Sequence, residues 1–133
     1  MEKPNQKFSV KKRAKSFSHA LNGLKILFSE EHNSRIHLVI SLFVIVAAYY
    51  FDVSALEWVA LILCIGFVFV LEIINSAIEN LSDYVQPEKH EAIKKTKDLA
   101  AAAVLVGSIV SAIVGLLIFL PKAISVMTWL QFQ

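Results

Sequence analysis

The chain has 133 residues, of which 56% are hydrophobic and 18% charged. A soluble domain is typically about 45–50% apolar, so this excess argues against an ordinary soluble fold and for a membrane protein. Net charge is only +2, and the single cysteine, Cys64, excludes an intrachain disulfide framework.

Residues 1–10 are polar and are expected to form a disordered tail. Residues 1–18 carry no apolar core of the kind that export requires, so the first span is expected to direct insertion itself. Residues 11–31 set Phe17, Ala20, Leu21, Leu24, Leu27 and Phe28 against Lys11, Lys12, Arg13, Lys15 and Lys25. That pattern predicts an amphipathic surface helix resting on the anionic lipids of the inner leaflet. Nothing else in the chain resembles a nucleic-acid module, so no nucleic-acid partner is expected.

Three apolar stretches follow: Ile36–Phe51, Ala55–Leu71 and Leu99–Pro121. A membrane-spanning helix needs about 20 apolar residues. Spans are predicted over 35–53, 56–83 and 98–121, in a single integral-membrane domain covering 1–133. The polar segment 30–34 is a predicted break before the first span, and Asp52-Val53-Ser54 a tight outer turn. Gln86-Pro87-Glu88 is a predicted turn, because proline interrupts a helix, followed by a basic helix over 88–98. Gly107, Ser108, Ser111, Ala112 and Gly115 give the third span a small-residue side that lets helices approach closely. Pro121 is expected to end it, leaving a tail with Trp129 at the outer interface.

Charge sets the expected orientation. Lys3, Lys7, Lys11, Lys12, Arg13, Lys15, Lys25 and Arg35 precede the first span, and Lys89, Lys94, Lys95 and Lys97 lie between the second and third. The loop between the first and second spans holds only Asp52 and Glu57. The positive-inside rule then places the N-terminus and second loop in the cytoplasm and the C-terminus outside the cytoplasmic membrane.

The second span carries the most informative pattern. A helix turns about 100° per residue, so Glu72, Asn75, Ser76, Glu79 and Asp83 share one face. The ridge begins inside an apolar run, where a carboxylate marks a functional site unless it is paired. If Glu30 or Glu31 approaches Glu79, an oxygen-rich pair results, and Mg²⁺ favours one or two carboxylates with waters and nucleotide phosphates. Lys97 and Asp98 fall at the same depth, where a lysine can neutralise phosphate charge. Plainer readings stand beside these: Lys97 and Asp98 as a helix-end charge pair, Asn75 and Ser76 as hydrogen bonds between spans, Glu79 and Asp83 as solvated charges. Gly23, Gly66, Gly107 and Gly115 are too dispersed to form a phosphate loop, so any nucleotide must be held by side chains. His19, His32, His37 and His90 have no zinc-ligand spacing.

Glu72-x-x-Asn75-Ser76-Ala77-Ile78-Glu79-x-x-x-Asp83, followed by Lys97-Asp98-x-Ala100-x-Ala102-Ala103-Val104, resembles the signature of the prokaryotic diacylglycerol kinase family. The resemblance runs from about Phe17 to about Pro121. Ser16-Phe17-x-His19-Ala20, Arg35-x-His37 and Ile118-Phe119-Leu120-Pro121-Lys122 are similar to the Gram-positive branch, whose members resemble undecaprenol kinases. The resemblance implies an all-α membrane protein with an N-terminal surface helix and three transmembrane helices, assembled as a homotrimer with shared active sites. It implies transfer of the γ-phosphate of ATP to a lipid alcohol, undecaprenol in this branch or diacylglycerol in the other. It also implies roles. Glu72 would be the general base, and Glu31 and Glu79 would hold the metal, Mg²⁺, bound to ATP. Asn75, Lys97 and Asp98 would position the phosphates, and Glu88 and His90 would contact the nucleotide. Lys12 and His19 stand where the Gram-negative pattern has arginine and tyrosine, and His37 replaces an acidic residue. A small proton-coupled transporter and a non-catalytic membrane scaffold are the readings from other classes.

Overall fold

The computed structural model describes residues 9–131; of the predicted tail over 1–10, residues 1–8 lie outside them, while Ser9 caps the first helix and Val10 begins it. Four helices follow in order: α1 (Val10–Glu30), α2 (His32–Tyr50), α3 (Ala55–Val85) and α4 (Glu91–Gln131). By length and composition α2, α3 and α4 are each able to cross a membrane. At about 1.5 Å per residue, α3 and α4 exceed the roughly 30 Å hydrocarbon layer. Their extra turns are the polar ends of the sequence pattern.

Helix α1 starts one residue earlier than expected. Ser9 caps it by accepting a hydrogen bond from the Lys12 amide. The polar break predicted over 30–34 is reduced to the single extended residue Glu31. Arg35 makes so short a joint possible. The last carbonyls of a helix have no partner within it, and Arg35 Nε donates to Phe28 O at 2.8 Å while Nη2 donates to Ser29 O. The Glu31 amide itself donates to Leu27 O at 2.9 Å. Leu27 is buried in the angle of the joint, and the Phe28 ring meets Phe69 of α3 edge-on, with centroids 5.8 Å apart. Glu31 is thereby fixed beside α3.

The turn between α2 and α3 is as tight as expected. Asp52 adopts φ 47°, a left-handed conformation that Asp tolerates better than most residues. Ser54 and Glu57 then form a capping box: Ser54 N donates to Glu57 Oε2 at 2.6 Å, and Glu57 N donates to Ser54 Oγ. Lys122 of α4 reaches the same carboxylate at 3.2 Å. Below this polar lid, Ala48, Val53, Leu61 and Ile118 form a small core, flanked by Phe51, Trp58 and Phe119.

Residues 86–90 form the loop that Pro87 predicted, so α4 begins at Glu91 rather than 88. Pro121 does not end the helix that carries the third span. Helix α4 continues through it to Gln131, and Trp129 lies on that helix rather than in a tail. Proline has no amide hydrogen, so one intrahelical bond, to Leu117 O, is lost. Membrane helices tolerate such a gap, and Ser125 Oγ adds a bond of its own to Pro121 O at 3.0 Å.

Helix α3 is the hub, packing against each of the other helices and most extensively against α4. The closest approach is at Gly107, where an added Cβ would lie 2.5 Å from Leu71 Cδ1 and 3.3 Å from Phe67 Cε1. One turn later Ser111 Oγ donates to Gly107 O at 2.8 Å. A Gly107→Ile variant is expected to lose about 1–3 kcal/mol through overpacking, read as a lower thermal midpoint in detergent. Gly107→Ala is expected to be milder, because the Leu71 methyl is a side-chain tip that can turn aside.

Candidate functional site

The ridge on α3 is buried at one end and open at the other. Glu72 is 2% exposed, Asn75 and Ser76 are buried, Glu79 is half-buried and Asp83 is exposed. Ser82, buried beside Asp83, has no counterpart among the expected site residues. Two hydrogen bonds organise the middle of the ridge. Asn75 Nδ2 donates to Glu79 Oε1 at 2.9 Å, within the helix. Ser76 Oγ donates to Glu31 Oε1 at 2.8 Å, across from α3 to the joint between α1 and α2. Ser76 therefore bonds to the joint before the first span and Asn75 along its own helix, so neither makes the bond between spans that the plainer reading offered. Asn80 Nδ2 donates back to Ser76 O at 3.0 Å, which bolts the same turn.

Helix α2 supplies a partner that spacing alone does not assign. His37 Nε2 lies 3.1 Å from Glu72 Oε1. The ring N–H is not aligned on that oxygen, which has no hydrogen bond of ordinary geometry. Ser34, one turn before it and 0% exposed, has an unpartnered hydroxyl, and so does the buried Asn75 Oδ1 lack a donor. Buried polar atoms are nearly always satisfied. Ser34, Glu72 and Asn75 thus leave buried polar atoms open to one another or to a further polar group. The sequence carries a signal for this: Ser34, His37 and Ser41 recur at helical spacing along one face of an otherwise apolar span.

The open end of the ridge meets the loop after α3. Lys97 Nζ donates to both carboxylate oxygens of Asp83, at 2.9 and 3.0 Å. The cation thus pairs with Asp83 across the loop and not with Asp98, its partner in the plainer helix-end reading. Asp98 is exposed on α4. Asp83, Glu88, His90, Lys94, Lys97 and Asp98 line one groove of about 660 Å³. His90 also has a local task, since its Nδ1 accepts from the Ala92 amide at the start of α4. The structure therefore gathers the expected residues into two adjoining clusters, one around Glu31, Glu72, Asn75 and Glu79, the other around Glu88, His90, Lys97 and Asp98. Lys12 and His19 stand exposed on α1, and no hydrogen bond or ion pair among the described residues joins their side chains to either cluster.

No three His, Cys, Asp or Glu side chains among the described residues close into a ready-made metal cage. The donor set still fits a hard divalent ion arriving with phosphate, since Mg²⁺ commonly takes one or two protein carboxylates and completes its shell with waters and phosphate oxygens. Glu31 and Glu79 are each anchored through one oxygen, by Ser76 and Asn75, which leaves the second oxygen of each available.

A third feature lies within the membrane-spanning part. His37, Ser41, Val44, Leu61, Cys64, Ser108 and Gly115 are among the residues bordering an apolar cavity of about 580 Å³ between α2, α3 and α4. Its His37 end adjoins the Glu72 carboxylate.

The chain resembles known proteins over most of its length. The family described as "Prokaryotic diacylglycerol kinase" matches residues 18–119. The chain is 36% identical over 122 residues to the undecaprenol kinase of Bacillus subtilis, covering 92% of this chain and 99% of that one. It is 39% identical over 108 residues to a diacylglycerol kinase of Helicobacter pylori, covering 81% and 84%. It is 36% identical over 99 residues to the diacylglycerol kinase of Escherichia coli K12, covering 74% and 81%.

Proposed function

The chain belongs to the prokaryotic diacylglycerol kinase family and is a membrane lipid kinase, and from that premise we propose that it transfers the γ-phosphate of ATP, taken with Mg²⁺, to the hydroxyl of undecaprenol. The observation that carries the reading is the ridge on α3. A buried carboxylate at membrane depth leads along one helix face into a polar groove where the chain becomes soluble in water. A lipid alcohol and a nucleotide can meet only across such a boundary.

The chemistry follows from the residues present. The lipid's hydroxyl would sit among the unpartnered polar atoms of Ser34, Glu72 and Asn75. Glu72 would accept the hydroxyl proton as the lipid oxygen bonds to the γ-phosphorus and the bond from that phosphorus to the β-bridging oxygen breaks, leaving ADP. Glu31 and Glu79 would hold the Mg²⁺, which when bound offsets charge on the β- and γ-phosphates. Lys97, Asp98, Glu88 and His90 would seat the nucleotide in the groove, with Lys97 able to leave Asp83 for phosphate. Lys12 and His19 would complete the site from α1 on lipid or nucleotide binding. No backbone phosphate loop is needed, because most of the barrier reduction comes from holding the reacting groups in line.

The same reading covers topology and assembly. Charge asymmetry supports a cytoplasmic N-terminus and loop after α3, and an extracytoplasmic C-terminus. Exposed Phe17, Leu21 and Leu24 on the basic helix α1 support its lying on anionic inner-leaflet lipids. Each span buries between 11% and 22% of its most apolar window inside the chain. Lipid and further copies of the chain, three in the proposed homotrimer, would cover the rest.

Undecaprenol is preferred over diacylglycerol because the relative aligned over 99% of its length is an undecaprenol kinase, although a diacylglycerol kinase is slightly more identical over a shorter stretch. A competition between undecaprenol and dioleoylglycerol, with purified protein in mixed micelles and labelled ATP, decides the substrate. The expected outcome is at least a tenfold higher kcat/KM for the polyprenol, equivalent to about 1.4 kcal/mol of transition-state preference. Equal or reversed preference would replace undecaprenol with diacylglycerol. Protein that phosphorylates neither alcohol would defeat the lipid-kinase mechanism.

A further inference from the structure

We infer that His37 is a positioning residue for the phosphoryl transfer, holding one oxygen of Glu72 so that the other faces the substrate hydroxyl. The inference rests on the assignment of Glu72 as the base and adds to it a specific neighbour on another helix.

Three observations carry it. His37 Nε2 is 3.1 Å from Glu72 Oε1, a buried oxygen without a well-formed hydrogen bond, and the Ser34 hydroxyl is a second donor group beside the same carboxylate. A carboxylate taken out of water with no donor is strongly disfavoured, so Glu72 needs a group able to face it. Among the described residues His37 is the group placed within ion-pair distance of it. Second, the His37 backbone is itself secured. Ser41 Oγ donates to His37 O at 2.7 Å, and α2 is anchored through Arg35 on the end of α1. Third, the ring is half-buried at the junction of two spaces, with the Glu72 carboxylate on one side and the 580 Å³ apolar cavity on the other. A side chain there can fix the base while its remaining surface borders the space open to a lipid chain.

The misaligned ring N–H fits a positioning role. In a site awaiting its substrate, catalytic hydrogen bonds are often long or poorly directed, and they tighten when the substrate arrives. The arriving hydroxyl would engage Oε2 and turn the carboxylate so that Oε1 meets the His37 N–H.

Two substitutions test the role without adding charge to the span. His37→Leu is apolar in an apolar helix and removes the donor. His37→Gln places an amide N–H at nearly the same reach. Each is made in the wild-type protein and in Glu72→Gln, and each is checked for unchanged elution in detergent. The expected result for His37→Leu is a fall in kcat of about 10–100-fold, the scale of a misplaced catalytic group, with KM for ATP and lipid within about threefold. His37→Gln is expected to recover most of the loss. In the Glu72→Gln background, His37→Leu is expected to cause little further loss, because the two side chains act as one unit. The inference is overturned by wild-type kcat in His37→Leu, by a His37→Gln variant as slow as His37→Leu, or by an undiminished effect of His37→Leu on top of Glu72→Gln. Near-normal turnover in Glu72→Gln alone would instead defeat the base assignment, so the two failures are distinguishable.

Discussion

Glu72→Gln is expected to lower turnover by about 10²–10⁴-fold, the usual cost of losing a general base, while the purified protein keeps its helical content and detergent elution volume. Glutamine has the same shape and stays neutral, so it fits a position 2% exposed between α2 and α3. It does not remove a proton from an alcohol. Folding should if anything become easier, because an ionised carboxylate in an apolar setting is costly and its neutral isostere is less so. The prediction therefore separates chemistry from stability in the direction opposite to most buried substitutions. Wild-type turnover in this variant would mean that the lipid hydroxyl loses its proton to another group or to water. A variant that fails to fold would mean that Glu72 is part of a structural pair with His37.

Glu72 is legible in the sequence because a helix repeats every 3.6 residues and an apolar run makes polar intruders conspicuous. Glu72, Asn75, Ser76, Glu79 and Asp83 fall on one face by arithmetic alone, and α3 carries them so. The spans, the tight turn at Asp52 and the break at Pro87 are legible for the same kind of reason, each being fixed by a few adjacent residues. What is not legible depends on contacts between distant segments. Lys97 pairs with Asp83 and not with its neighbour Asp98, because the loop over 86–90 folds the start of α4 back toward the end of α3. His37 meets Glu72 only because α2 runs alongside α3 at that depth. Glu31 reaches Ser76 because Arg35 closes α1 over a one-residue joint. Pro121 misleads in another way. The rule that proline ends helices is a tendency, and here the helix continues past the one lost bond, beside Lys122 and its ion pair with Glu57.

The hydrogen bond from Ser76 Oγ to Glu31 Oε1 leads to the second large effect. If Glu31 and Glu79 hold the Mg²⁺ that accompanies ATP, removing either carboxylate deletes a ligand outright. Residues that merely orient metal ligands typically contribute about 10–100-fold to metal affinity or activity. Glu31→Ala and Glu79→Ala are then expected to lose activity by at least about 100-fold at ordinary Mg²⁺ concentration, the upper end of that range. Ser76→Ala leaves both carboxylates in place but frees Glu31 to rotate. It should therefore shift the Mg²⁺ concentration for half-maximal rate upward by the factor of an orienting residue and approach the wild-type rate once Mg²⁺ is saturating. The same distinction applies to Asn75, whose amide steadies Glu79 at 2.9 Å. A Mg²⁺ titration of the rate at fixed ATP decides the matter, because a lost ligand and a loosened ligand separate in their response to excess ion. If Ser76→Ala lowered the rate at every Mg²⁺ concentration without moving the midpoint, Glu31 would be acting on the substrate rather than on the metal. The carboxylate at the α1–α2 joint would then belong with Glu72 in the chemistry of the lipid hydroxyl.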